Sequence, residues 1–296
     1  MESDQASQLN GWPRGESKVS QSATLYPGLP LKSSVRWLTN RGAHVVTDLE
    51  GQRGAIDALL AADKICDKEG QLDFVDPADC LFFAGDITDR GPDTLRLTAL
   101  LMDLRRRYPE RVAWVYGNLD VKNLGLLRNL PALERRTSGF DTWLLARAEH
   151  QASTNGAIWQ PPTAGKREAF LSRRNTLDQR VEYWLCMQGA TQAFEYHRQE
   201  LRELRGQTVS RLEAAEDYIA RLLPGGETFE FLRLGQIALI HGNVLIDHGG
   251  ISRTNIGFVP GATERSRNAR VWVEELNAYA RAEMAAIEQA IRTRGL

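Results

Sequence analysis

Four short polar clusters interrupt the apolar stretches of this chain: Asp48 with Glu50, Asp86 with Asp89 and Arg90, Asn118 with Asp120, and His248 ahead of Gly249-Gly250. Carboxylates joined by an amide oxygen and an imidazole form a mixed donor set suited to hard or borderline divalent cations. Asp48, Asp86, Asn118 and His248 are therefore the ligand candidates. One Asp shared by two cations a few ångströms apart would let the pair activate a water and clamp a phosphoryl group in line. Arg90, a planar fork of donors, suits phosphate oxygens.

The elements around these clusters would bring them together. Ala43 to Thr47 is a β-branched run ending at Asp48, and Gly51 to Ile65 then carries Ile56, Leu59 and Leu60 at helical spacing. Cys80 to Ala84 is a continuous apolar run cut off by Gly85-Asp86, with Leu95, Leu97, Leu100, Leu101 and Leu104 following on a helix. Val112 to Tyr116 ends at Gly117-Asn118. Buried strands alternating with helices predict a right-handedly wound parallel sheet, with a ligand crevice beyond the strands' carboxyl ends.

From about residue 130 to 225 the composition turns to Arg, Glu, Leu, Ala and Gln, and the spacing predicts amphipathic helices over 181–204 and 209–222, an insertion into the α/β domain. Residues 237–246, broken by Gly242-Asn243, predict a β-hairpin leading to His248, and a last helix is expected from Ala269 to Ile291. Residues 1–40, rich in Ser, Gln, Gly and Pro, read as a disordered tail ahead of one domain over 41–296.

Composition excludes several classes. Of 296 residues 42% are apolar and 25% charged, and 37 basic against 38 acidic side chains leave a net charge of −1, so no long-range field draws a nucleic acid. Three scattered cysteines, Cys66, Cys80 and Cys186, read as ordinary buried thiols, and no apolar stretch is long enough to span a membrane. The expected setting is cytoplasmic, without nucleic acid or membrane as partner.

Thr47-Asp48-Leu49-Glu50-Gly51, Gly85-Asp86-Ile87-Thr88-Asp89-Arg90-Gly91, Gly117-Asn118-Leu119-Asp120 and His248-Gly249-Gly250 resemble, in order and rough spacing, the successive blocks of calcineurin-like metallophosphoesterases, in their phosphoprotein-phosphatase style. The second block is the most specific. The resemblance implies a metallophosphoesterase-like αββα sandwich of the α/β class and a metal-dependent phosphatase with two divalent ions, Mn²⁺ or Mg²⁺ with Fe or Zn as further candidates. Its substrate would be a phosphorylated protein or a small phosphomonoester. Carried over residue by residue, Asp48 would hold the first ion with Glu50, Asp86 would bridge, and Asn118 and His248 would hold the second. Arg90, with Asn118, would bind phosphate, and Asp89 would orient a neighbour.

Three departures accompany the likeness. Glu50 stands where the family has His, which makes the site harder and more anionic, although a carboxylate there also suits a helix N-terminus. Leu119 stands where the family places a proton-donating His, which leaves Asp120 as the remaining acid of that block. No histidine follows His248, and the chain turns helical where further strands would come, so the second sheet reads as incomplete. His241 also precedes a glycine, but reads as a turn residue. An active phosphatase and a catalytically impaired relative serving as a binding module are the competing functions.

Overall fold

A computed structural model describes residues 42–68 and 71–294; the expected tail over 1–40 lies outside the described residues. The strands β1 (Ala43–Val46), β4 (Cys80–Ala84) and β5 (Val112–Val115) form a parallel sheet in the order β1-β4-β5, with Val46 level with Phe83 and Ala84 level with Val115. This register sets the carboxyl ends of all three strands side by side, so the loops carrying Asp48, Asp86 and Asn118 leave the sheet along one edge.

Both faces of the sheet are covered, which is why β4 is apolar at every position. Val46, Leu81, Phe83 and Trp114 face the helices α1 (Gly54–Ala61) and α2 (Thr94–Arg107) and the helical segment beyond. Ala43, Phe82, Ala84 and Val115 face the hairpin of β6 (Ala238–His241) and β7 (Val244–Asp247) through Leu239 and Ile246. The outer layer on that side is α11 (Ala269–Arg294), whose Asn277 closes the edge of β6 by accepting from Ile237 N at 2.9 Å and donating to Ala238 O at 2.8 Å. Layers of helix, sheet, hairpin and helix give the expected α/β sandwich, its second sheet reduced among the described residues to one hairpin. Gln236 adds a single parallel bridge to Val115.

Two segments differ from the sequence reading. The helix expected to run on to Ile65 stops at Ala61, and Ile65–Lys68 pairs with Gln71–Phe74 as the antiparallel hairpin β2-β3. Four-residue strands with mostly polar outer faces carry little alternation to detect. The helical segment begins at Asn118 with α3 (Asn118–Lys122) and continues through α4 (Leu124–Glu134), α5 (Ser138–Thr154), α6 (Ala164–Arg174), α7 (Leu177–Met187), α8 (Ala193–Arg205), α9 (Arg211–Leu222) and α10 (Glu227–Leu234). The run expected over 181–204 is thus two helices, broken at Gly189, whose φ of +81° suits a residue without a Cβ.

The helical segment is bolted to the loops of the sheet. Glu200 on α8, 1% exposed, accepts from Leu95 N at 2.9 Å and Arg96 N at 3.1 Å, capping the start of α2 directly after the Asp86–Arg90 loop. On the far side of α2, Trp114 of β5 stacks on Phe231 of α10 with ring centroids 4.7 Å apart and donates to its carbonyl.

Candidate metal centre

The first two loops are zipped together by their backbones. Asp48 N donates to Gly85 O at 3.1 Å, Glu50 N to Asp86 O at 2.8 Å and Gly51 N to Ile87 O at 2.8 Å. Apart from Asp63 and Arg136, every described non-glycine residue with left-handed backbone lies in these loops: Asp48, Glu50, Asp86, Asp89 and Arg90. Such conformations cost roughly 1 kcal/mol or more each and persist where surrounding structure holds them, as it does at functional sites.

The loop of Asp86 is held from the third cluster. Asp120, 2% exposed, accepts on Oδ1 from Ile87 N, Thr88 N and Thr88 Oγ1 at 2.9–3.0 Å and on Oδ2 from Gly117 N at 2.9 Å. Leu119 N donates to Asp86 Oδ1 at 2.8 Å, which leaves Oδ2 to face the crevice. Gly117 is required by this closeness, because a Cβ there would lie 1.9 Å from Asp86 N. Gly85, at φ +88°, is required in the same way: a Cβ would lie 2.6 Å from the ring of His248.

His248 arrives from the end of β7. Its Nδ1 lies 2.9 Å from Ala84 O, a pure acceptor, so Nδ1 carries the proton and Nε2 turns to the cluster, 3.4 Å from Asp86 Oδ2 and 3.3 Å from Asn118 Oδ1. One ligand atom each from Asp48, Asp86 and His248 lies within 4.8 Å of the other two. The hydrogen bond and the charge of Asp86 push the imidazole up to about 9, so the cluster attracts positive charge where the ring nitrogen sits. The set fits a divalent cation: two carboxylates, an amide oxygen and an imidazole whose other nitrogen is oriented by a backbone carbonyl.

The remaining expected residues are placed differently. Glu50 is turned to Arg90, whose Nη1 donates to its Oε1, so its carboxylate is engaged on the guanidinium. Arg90 is half-exposed beside this mouth, with Gly189 of the α7–α8 turn against its guanidinium. Asp89 is 5% exposed and faces inward, accepting from Asn123 Nδ2 at 2.6 Å, and burial pushes its carboxyl up to about 6. Asn123 in turn accepts from the hydroxyl of Tyr218 at 2.9 Å. Asp120 is a clamp with both oxygens used, and burial raises its pKa. His44 lies at the opposite end of β1, paired with Asp79 at 2.8 Å. His241 is fully buried against Phe82, with no hydrogen-bond partner on either ring nitrogen among the described residues.

Sequence reasoning missed Thr88, Asn123 and Tyr218, which hold the second loop. Tyr218 lies 95 positions from the Asn123 it holds, and nothing local marks the pairing.

A model of the calcineurin-like phosphoesterases matches residues 44–286, so the chain belongs to that family. No curated protein and no solved structure matches it. Metal-dependent hydrolysis of phosphoesters is the general chemistry of the family, and the donor set of Asp48, Asp86 and His248 agrees with it. No described helix is long and apolar enough to cross a membrane.

Proposed function

We propose that this chain is a phosphomonoester hydrolase working with two divalent metal ions, Mn²⁺ or Mg²⁺. The observation that carries this reading is the convergence of Asp48, Asp86 and His248, from three separate segments, to within 4.8 Å. In this reading Asp48 and Asp86 would hold one ion, and Asp86, Asn118 and His248 would hold the other. When bound, the pair supplies an activated water and neutralises charge on the phosphoryl group. The chain's own part is to keep the donors rigid through the Asp120 clamp, and to present Arg90 to the phosphate oxygens once it leaves Glu50.

A second reading, a catalytically impaired member that binds phosphorylated partners in the cytoplasm, is favoured by one observation. Leu119 is buried and occupies the position after Asn118 with a side chain that has no proton to donate. Metal content of the purified protein, measured together with turnover of a generic aryl phosphate, tests both. Two ions with turnover support the hydrolase. Phosphate binding without turnover supports the impaired member, and absence of metal overturns the hydrolase.

A further inference from the structure

Beside the metal cluster the structure opens into a cavity of about 1030 Å³, enclosed by α3, β6, the segment after His248 and α11. Asn118 and His248 belong both to the cluster and to its wall. Away from these two residues the wall is mainly apolar and partly aromatic, with Tyr116, Trp272, Tyr279 and Met284 prominent and Lys122, Asp247 and Glu283 as its charged members. The mouth carries apolar side chains in solvent: Val121 is 42% exposed, Ile251 44% and Phe258 45%. A volume near the upper end of small-molecule sites, walled by aromatic side chains and ending at a charged cluster, is shaped for an amphiphilic ligand with an anionic head.

The residues that follow Asn118 point to the same chemistry. Leu119 offers no proton, and the adjacent acid, Asp120, has both oxygens taken up by four donors. A leaving group that departs without a donated proton must be a weak base, as a phenolate is and an alkoxide is not. The geometry points to an aryl phosphomonoester as the substrate class, its phosphate on the metal cluster and Arg90 and its ring in the cavity between α11 and β6. This rests on the hydrolase reading and names the substrate of that site. In the reaction the P–O bond to the ring breaks and its electron pair leaves on the phenolate oxygen. The water oxygen forms the new P–O bond and gives one proton to solvent, the departed phenolate takes one up from solvent, and the products are a phenol and inorganic phosphate.

The test is binding of two non-hydrolysable probes, 1-naphthylphosphonate and methylphosphonate, to the full-length, Mn²⁺-loaded protein by calorimetry. Burial of the ring is expected to favour the naphthyl probe about 100-fold. Ala280→Trp, which fills the cavity, should reduce that ratio to about one. Phe258→Ser, at an exposed position that leaves packing intact, should reduce it about threefold. Hydrolysis is the second readout: each variant should raise KM for aryl phosphates with little change in kcat. Equal affinity of the two probes would overturn the proposal. A wild-type ratio that survives in both variants would overturn it as well. Failure of both probes to bind metal-loaded protein would instead overturn the phosphate-site reading on which the proposal rests.

Discussion

Arg90 donates to the carboxylate of Glu50 across the mouth of the metal cluster, so the residue expected to grip phosphate and the residue expected to complete the metal shell hold each other. Each can turn to its own ligand only by releasing the other. Arg90→Ala should therefore weaken inorganic phosphate binding at least tenfold, through loss of charge-assisted hydrogen bonds. Metal affinity should hold or rise up to about fivefold, since a half-exposed ion pair is worth at most about 1 kcal/mol. Calorimetric titration of Mn²⁺ and of phosphate checks both, and a loss of metal in this variant would contradict the arrangement.

Asp86→Asn separates charge from geometry. An amide oxygen still accepts from Leu119 N, so the loop should keep its shape, while the metal-free variant should lose about 1–3 kcal/mol of stability with the charge that holds the His248 imidazolium. Metal content should fall to near zero, because the charge that would serve both cations is gone. Chemical denaturation and elemental analysis on the same preparation report the two effects.

The strand ends and the four clusters were legible in the sequence because each cluster breaks a continuous apolar run, and Asp48, Asp86 and His248 do converge. What was not legible depends on contacts between distant segments. Glu50 reads as a ligand, with a helix-end carboxylate as the alternative, until Arg90 is seen to hold it. The Tyr218–Asn123–Asp89 chain joins α9 to the second loop, and the cavity beside α11 arises where four elements meet. The β2-β3 hairpin escaped because its four-residue strands are half-polar, without the continuous apolar run that marks β4 and β5.

Tyr218→Phe tests that chain. It removes the hydroxyl that donates to Asn123 and leaves a buried amide oxygen short of a partner, for a cost of about 1–3 kcal/mol. Because Asn123 also holds Asp89, phosphate affinity should drop with stability even though Tyr218 touches no ligand. Tyr218→Leu should do the same, whereas an exposed control on α9 such as Leu212→Ala should change neither.

His241 predicts a pH dependence. Burial lowers its pKa in the folded protein, so below the unfolded value of about 6.5 the unfolded chain takes up a proton that the folded chain refuses. Stability should therefore fall as pH drops through that value, and be unaffected by this residue above it. His241→Leu removes the effect at similar volume and should be more stable relative to wild type at pH 5 than at pH 8. The difference between the two proteins can change by up to about 1.4 kcal/mol per pH unit. Melting curves at both pH values measure it, and His197, present in both proteins, cancels.

Leu119 separates the chemical step from binding. With no proton to give at this position, the rate on a hydrolase substrate should fall steeply as the leaving group becomes more basic, so aryl phosphates should outpace alkyl ones in kcat as well as in KM. Leu119→His introduces a proton donor at a buried position whose backbone N–H already touches Asp86. The substitution should raise kcat on alkyl phosphates about tenfold or more and leave the KM preference for aryl rings in place, since the cavity is unchanged. Asp120→Asn is the companion variant. If Asp120 is a clamp, as its four donors indicate, the change should cost stability, because an amide cannot accept on both sides, while the ratio of aryl to alkyl kcat stays constant. A ratio that moves in Asp120→Asn but not in Leu119→His would show that Asp120 supplies the proton.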